Sequence, residues 1–364
     1  MNPALLFLAA ALFIWGIGEG MFFYFQSLYL AELGADPVQI GAILGAAGMV
    51  MTLVHIPAGY LADKVGRRPL LRAAWLSGFL AAALMAFARS LSGFVIGLAL
   101  YSSTTFVVSP LNSYVTAARG KWRVERVITL ITAVFSLGMI IGPLLGGWLG
   151  DTFGMRSIYL AALGVFLISI TFILSLPAQP VSVPAERKRA RDLFQNRPYI
   201  AFLVLIFGIM LIGYLPQPLT QNFLQDIRGL SLRQIGLLGS LAALGNTMLS
   251  LVLGQLNARL GFILGQISTA LFALLIWQGS GMAIFGLAYL LLGGYRASKS
   301  LAAAQVSSLV DEAQMGLAYG VMETVSALSL TLAPPLAGYL YASDPASPYP
   351  LSLLLIFVGI LFAL

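Results

Sequence analysis

Four ionisable residues stand in stretches of this chain that are otherwise apolar. Glu19 lies within Trp15-Gly16-Ile17-Gly18-Glu19-Gly20-Met21-Phe22. Arg296 and Lys299 lie three residues apart, which puts them on one helix face, and Glu323 follows in the next apolar stretch. Ionisable groups at membrane depth are costly and mark functional sites by default. A carboxyl in a medium of low dielectric resists ionisation, so Glu19 can take up and release a proton near neutral pH. The opposing reading is a permanent pair of Glu19 with Arg296 that only fixes packing. Lys299 and Glu323 fall at similar depth on consecutive segments and read as a structural or gating ion pair. Arg296 has the planar fork that suits a carboxylate or phosphate. His55 can titrate, although a lone histidine in a packed helix is more often simply hydrogen-bonded.

The elements that position these groups are membrane helices. The chain has 364 residues, 59% hydrophobic and 9% charged, and a mean hydropathy of +0.93. Soluble domains carry about 25% charged residues. The apolar residues come in long blocks, as spanning helices of about 20 residues require, and not in the short alternation of a β-barrel. Cysteine is absent and histidine occurs once, which excludes disulfides and thiolate or histidine-rich metal centres. No nucleophile–base pair, nucleotide loop or soluble domain marks an enzyme or a sensor, and no cofactor is expected. The net charge of +7 reads as basic loops against anionic lipid and not as a nucleic-acid surface. Met1-Asn2-Pro3-Ala4 lacks the basic start of a signal peptide and opens the first helix.

Charge clusters and Gly, Pro, Asn and Asp punctuation divide the chain into twelve segments. They run over 4–30, 37–62, 69–88, 92–117, 125–150, 156–176, 199–224, 233–258, 261–279, 282–309, 316–342 and 349–364. The last is short for a span, which suggests a chain continuing past Leu364. A basic polar stretch with Glu186-Arg187-Lys188-Arg189, Arg191, Asp192 and Arg197 splits the chain near its middle. The expected organisation is an N-terminal six-helix bundle over 1–176, a basic linker over 177–198 and a C-terminal six-helix bundle over 199–364. Lys64, Arg67, Arg68, Arg72, Arg119, Lys121, Arg123, Arg126, the linker cations and Arg259 fall on one face, and only Arg89, Arg156, Arg228 and Arg233 on the other. The positive-inside rule then places both termini in the cytoplasm.

The halves repeat. An offset of 195 lays Gln26 on Gln221, Gly34 on Gly229, and Gln39-Ile40-Gly41 on Gln234-Ile235-Gly236. An offset of 191 lays Pro143 and Gly147 on Pro334 and Gly338. Parallel repeats about an axis normal to the membrane are a recurring plan of secondary transporters.

Between the second and third segments stands Gly59-Tyr60-Leu61-Ala62-Asp63-Lys64-Val65-Gly66-Arg67-Arg68-Pro69. Gly59 permits close packing, Gly66 a tight reversal at positive φ, and Asp63 charge-assisted hydrogen bonds to a helix N-terminus or an arginine. This resembles the signature loop of the major facilitator superfamily. The second-half counterpart, Gly254 to Gly261, has Ala258 in place of the aspartate. The resemblance implies twelve helices in two pseudo-symmetric bundles, a monomer working by alternating access, and an Asp63 that meets residues near Gly316–Ala318 or Arg119. Gly138-Met139-Ile140-Ile141-Gly142-Pro143-Leu144-Leu145-Gly146-Gly147 resembles the fifth-helix motif of drug:proton antiporters, although the longer motif has glycine where Thr129 stands. Gating would then rest on Gly59, Asp63, Lys64, Gly66, Arg67, Arg68, Arg119, Gly138, Gly142, Pro143 and Glu323.

In the resembled fold the first, fourth, seventh and tenth helices line the cavity. Glu19, Arg296 and Lys299 would face it, with Phe22, Phe23, Gln26, Asn112, Tyr114, Tyr214, Gln217 and Gln221 as further contacts. Pro216 and Pro218 break the ladder of the seventh segment and suit a bend near a gate. The expected activity is proton-driven export of an amphipathic, drug-like molecule across a prokaryotic inner membrane. The alternative is a proton-coupled symporter of a small organic anion using Arg296 and Lys299.

Overall fold

The protein is described by a computed structural model covering residues 3–177, 193, 195–306, 309–310 and 315–363. Among these residues every regular element is helical. The first half comprises α1 (Pro3–Phe23), α2 (Gln26–Glu32), α3 (Pro37–Val65), α4 (Arg67–Phe87), α5 (Leu91–Ser103), α6 (Val108–Ala118), α7 (Val124–Phe153) and α8 (Met155–Leu174). The second comprises α9 (Arg197–Tyr214), α10 (Thr220–Asn222), α11 (Leu232–Leu253), α12 (Ala258–Gln278), α13 (Met282–Leu291), α14 (Gly293–Val306), α15 (Met315–Ser343) and α16 (Pro348–Ala363). Among the described residues ten helical stretches are long and apolar enough to cross a membrane, Leu91–Ala118 counting as one. Large apolar side chains such as Leu6, Val204 and Phe357 stay more than half exposed, as lipid-facing residues do. The chain is a multi-pass membrane protein. Two of the twelve expected segments are not among the ten. One is divided at Leu292 into α13 and α14, and the other, α16, has 16 residues.

Interruption is a pattern. The expected first, fourth, seventh and tenth segments are each broken, at Tyr24–Phe25, at a 3₁₀ turn over Thr104–Val107, at Leu215–Leu219 and at Leu292. Backbone groups released in lipid must find other partners. Pro216 and Pro218 cannot donate to Ile212 and Tyr214. The Ser352 hydroxyl donates to the Ile212 carbonyl at 2.8 Å, and the Gln217 N–H donates to Tyr214 O at 2.9 Å. The Gln217 amide donates to Gly213 O at 2.8 Å and the Thr220 hydroxyl to Pro216 O at 2.5 Å. At the α13–α14 break Ser268 donates to Leu291 O at 2.7 Å. Before Pro110, the hydroxyls of Ser102, Ser103, Thr104 and Thr105 each bond back to a carbonyl three or four residues earlier.

The chain forms two compact units that exchange short segments. The first holds residues up to Gly34, the chain from Val50 through α8, and Ser231–Ser240. The second holds Ala35–Met49 and the rest of the second half from α9 onward.

In the first unit α1 is wedged between α7 and α8. A Cβ on Gly16 would strike the Phe135 carbonyl and one on Gly20 would lie 3.0 Å from Pro143, whereas one on Gly18 would lie 2.6 Å from the Phe166 ring. Gly138, Gly142 and Gly146 return this closeness, meeting the backbones of Phe13, Ile17 and Met21. Gly138 and Gly142 of the antiporter-like motif therefore seat α1. Trp15 stacks on Phe166 with centroids 3.9 Å apart and fills the space left by Gly78. The Trp75 indole donates to the Ser169 hydroxyl at 2.8 Å, which donates to Ala11 O at 2.7 Å, so one buried chain ties α4, α8 and α1. Arg156 donates to Ala86 O at 2.9 Å, and Arg72 to Leu174 O. In the second unit Arg228 donates to Trp277 O. Each cation sits on the carbonyl end of a neighbouring helix, where the dipole favours it.

The repeat matches read from the sequence converge on two equivalent seams. In the second unit Gly41 faces the Pro334 carbonyl and Gly338, and in the first Gly236 faces the Pro143 carbonyl and Gly147. Gln39 and Gln234 each close a capping box. The Gln39 side chain accepts from the Asp36 N–H at 3.2 Å and that of Gln234 from the Ser231 N–H at 2.9 Å. Ile40 and Ile235 are buried. Gly34 and Gly229 hold matching turns at φ 92° and 69°, and Gly66 turns the signature loop at φ 87°.

Gly142→Val should lower thermal stability by about 1–3 kcal/mol, because its extra atoms meet backbone and not a mobile side chain. Gly164→Ala, whose Cβ meets nothing within 4 Å, should not lower it. Fluorescence-detected thermal melts of the purified variants check both.

Candidate functional site

The first-unit candidates cluster around the middle of α1. Glu19 is half-buried and stands beside the Tyr101 hydroxyl, close enough to act on it electrostatically but outside regular hydrogen-bond geometry. Its two glycine neighbours are the reason this carboxyl can sit there, since Gly18 and Gly20 bring α8 and α7 against both flanks of the helix. Tyr101, a buried residue on α5, was not among the sequence candidates. Its signal was faint: a tyrosine opening the run Tyr101-Ser102-Ser103-Thr104-Thr105, which breaks the helix.

Other candidates have different work. Phe22 is fully buried, 5.1 Å from Tyr101 and 5.5 Å from Tyr159 between ring centroids, so it is core packing. Tyr114 is likewise buried and donates to Pro177 O at 3.0 Å. Its contribution is to the end of the sixth span and not to an open surface. Phe23 is exposed and edge-on to Tyr24, Gln26 is half-buried at the start of α2, and Asn112 is exposed on α6. Arg119 rims a small apolar cavity with Leu5, Ala9, Trp122 and Ile131, and Arg126 lies over the Trp122 ring at 4.6 Å. Arg67 and Arg68 open α4, half-buried. The side chains of residues 55–65 lie outside the described residues, and with them the expectations for His55, Gly59, Asp63 and Lys64. Ala318 is buried and its carbonyl accepts from the Tyr199 hydroxyl at 2.6 Å; the expected Asp63 contact near it lies outside the described residues. Most of the basic linker also lies outside.

In the second unit the Lys299 ammonium on α14 lies 2.7 Å from a Glu323 carboxylate oxygen on α15. Side-chain exposures of 36% and 57% leave both members of this pair partly uncovered by protein. Arg296, one turn earlier on α14, is exposed. Tyr214 is half-buried with its ring 6.0 Å from that of Tyr295, and Tyr295 is buried and donates to Met210 O at 3.3 Å. Gln217 turns its amide back onto the broken backbone, which takes its donor away from any cargo. Gln221 is half-buried on α10. Each unit thus presents one ionisable focus on an interrupted helix, Glu19 in the first and Arg296 with Lys299 in the second. Among the described residues no group of His, Cys, Asp or Glu could hold a metal ion.

The model of the Major Facilitator Superfamily matches residues 8–261. The class H tetracycline resistance protein of Pasteurella multocida is 26% identical over 369 residues, covering 95% of this chain and 91% of that protein. The class G tetracycline resistance protein of Vibrio anguillarum is 28% identical over 312 residues, covering 81% and 78%. Among solved structures the nucleoside transporter NupG superposes with a TM-score of 0.81 at 15% identity, over 99% of this chain and 97% of that one.

For the exposed Lys299–Glu323 pair, a double-mutant cycle with Lys299→Ala and Glu323→Ala should give a coupling of about 0.2–1 kcal/mol in thermal melts. The coupling should shrink as salt is raised.

Proposed function

Because the chain belongs to the major facilitator superfamily, a transporter family, we propose that it is a proton-coupled secondary carrier that exports amphipathic molecules by alternating access. The observation that carries this reading is Glu19, a half-buried carboxyl in the middle of a membrane helix, beside a buried phenol, with the Phe166 ring of α8 packed on one flank and α7 on the other. Protonation of such a group changes its local energy by several kcal/mol in a medium of low dielectric, enough to couple proton entry to a conformational step. The four broken segments favour the same reading. Discontinuous helices are where secondary transporters place their solute sites, and the breaks here coincide with the first, fourth, seventh and tenth segments of a twelve-span plan. Export of an amphipathic compound is favoured by the full-length similarity to tetracycline resistance proteins.

In this scheme Glu19 carries the proton, Phe23 and Gln26 extend the contact surface along the first segment, and Tyr214, Gln221 and Arg296 supply the second half. The carrier resides in a prokaryotic inner membrane with both termini in the cytoplasm and works as a monomer, its two six-helix halves joined by the basic linker. A second reading, symport of a small organic anion, is favoured by Arg296. That guanidinium is exposed on α14 while its neighbour Lys299 is engaged with Glu323.

Liposomes bearing the protein and an imposed pH gradient separate the readings, with tetracycline, tetraphenylphosphonium and benzoate as probes. Glu19→Gln should cut gradient-driven flux of tetracycline or tetraphenylphosphonium at least tenfold. Undiminished flux would remove Glu19 from coupling. Benzoate flux that runs with the gradient and is lost in Arg296→Ala would establish the symporter instead.

A further inference from the structure

Asp151, near the C-terminal end of α7, accepts two backbone hydrogen bonds from the first turn of α11. The Leu232 N–H donates to Oδ1 at 2.9 Å and the Arg233 N–H to Oδ2 at 3.0 Å. Such bonds from a helix N-terminus to a carboxylate are charge-assisted and favoured by the dipole. The helix does not need them to start. Its own capping box is complete, with the Ser231 hydroxyl accepting from the Gln234 N–H at 3.3 Å and the Gln234 side chain accepting from the Ser231 N–H. Asp151 therefore acts between α7 and α11.

The equivalent seam lacks the acceptor and one of the two donors. At the offset of 191 that matches Pro143 with Pro334, Asp151 falls on Ala342. At the offset of 195 that matches Gln39 with Gln234, Leu232 falls on Pro37, which has no N–H. The glycine packing is the same at the two seams, Gly41 on Pro334 and Gly338, Gly236 on Pro143 and Gly147. One seam has the acceptor and both donors; the other lacks the acceptor and one of the donors, since Arg233 falls on Val38, which keeps its N–H.

We propose that Asp151 is a positioning residue of the transport cycle. It is a latch that holds the start of α11 against the end of α7 and biases the carrier toward the arrangement seen here. The α11 segment up to Ser240 belongs to the first unit and the helix continues into the second from Leu241, so the latch acts on a helix that runs from one unit into the other. Three crossings of the chain separate the Gly66 turn from the Gly154 turn beside Asp151, so the latch works at the membrane face opposite the signature loop. The inference rests on alternating access but not on Glu19 or on any cargo.

The chain has no cysteine, so a single introduced thiol reports without background. Ser240 lies one turn beyond Gly236 on the same helix face and is buried, and Ser240→Cys is nearly isosteric. In purified protein in nanodiscs, Asp151→Ala should raise the maleimide labelling rate of Ser240→Cys about fivefold or more. Leu232→Pro, which copies the other repeat at a position where proline fits a helix start, should do the same by deleting one donor. Asp151→Asn, keeping one acceptor, should fall between. Thr269→Cys, buried in α12, should label at an unchanged rate in every background. Unchanged Ser240→Cys labelling in Asp151→Ala and Leu232→Pro would overturn the latch, as would a parallel rise at Thr269→Cys. Failure of Glu19→Gln to impair transport would leave these labelling results untouched.

Discussion

In hydrocarbon no water is at hand to take a hydrogen bond that the backbone gives up, and this constraint shapes the molecule more than any single contact. Apart from the four broken segments, the expected segments meet it with helices that no turn divides among the described residues, although Pro143 in α7 and Pro334 and Pro335 in α15 each withhold one ladder bond. At the four breaks the accounting is explicit. The Ser352 hydroxyl serves the carbonyl that Pro216 leaves, Ser268 serves Leu291, and Thr220 and Gln217 serve their own turn. Each repair uses a short polar side chain set in an apolar wall. The breaks are therefore stable features of the fold, and their cost has been offset within each unit.

Close approach of helices is the second means by which the fold holds. With lipid on the outside, apolar burial drives little association, and small residues that let backbones touch do the work instead. The glycine faces of α7 divide this labour. Gly138, Gly142 and Gly146 seat α1, while Pro143 and Gly147 receive α11. A motif that reads in one dimension as a single stripe is in space two contact faces with different partners.

Much of this was legible in the sequence, and the misses have physical reasons. The offsets that match Gln39-Ile40-Gly41 with Gln234-Ile235-Gly236, and Pro143 and Gly147 with Pro334 and Gly338, read as a repeat, and the structure brings these residues together at two equivalent helix contacts. The repeat is legible because capping boxes and glycine contacts need fixed residue types at fixed spacing. Lys299 and Glu323 were placed together by depth alone. Phe22, Tyr114 and Gln217 were assigned to a cavity because polarity and helical spacing do not say which way a side chain turns. The breaks at Tyr24–Phe25 and Thr104–Val107 were missed because no glycine or proline sits at them. Asp151 falls between two expected segments, and no sequence pattern marks it because its partners are backbone N–H groups 81 and 82 residues away.

The wedge of α1 between α7 and α8 has a consequence for how any proton or solute meets Glu19. Glycines on opposite flanks of one helical turn leave α1 no smooth surface on which to roll, since rotation would drive side chains into the backbone of α7 or the ring of Phe166. The carboxyl is thus a fixed post, its bearing set by its neighbours and not by its own rotation. Access to it changes only when the walls around it move.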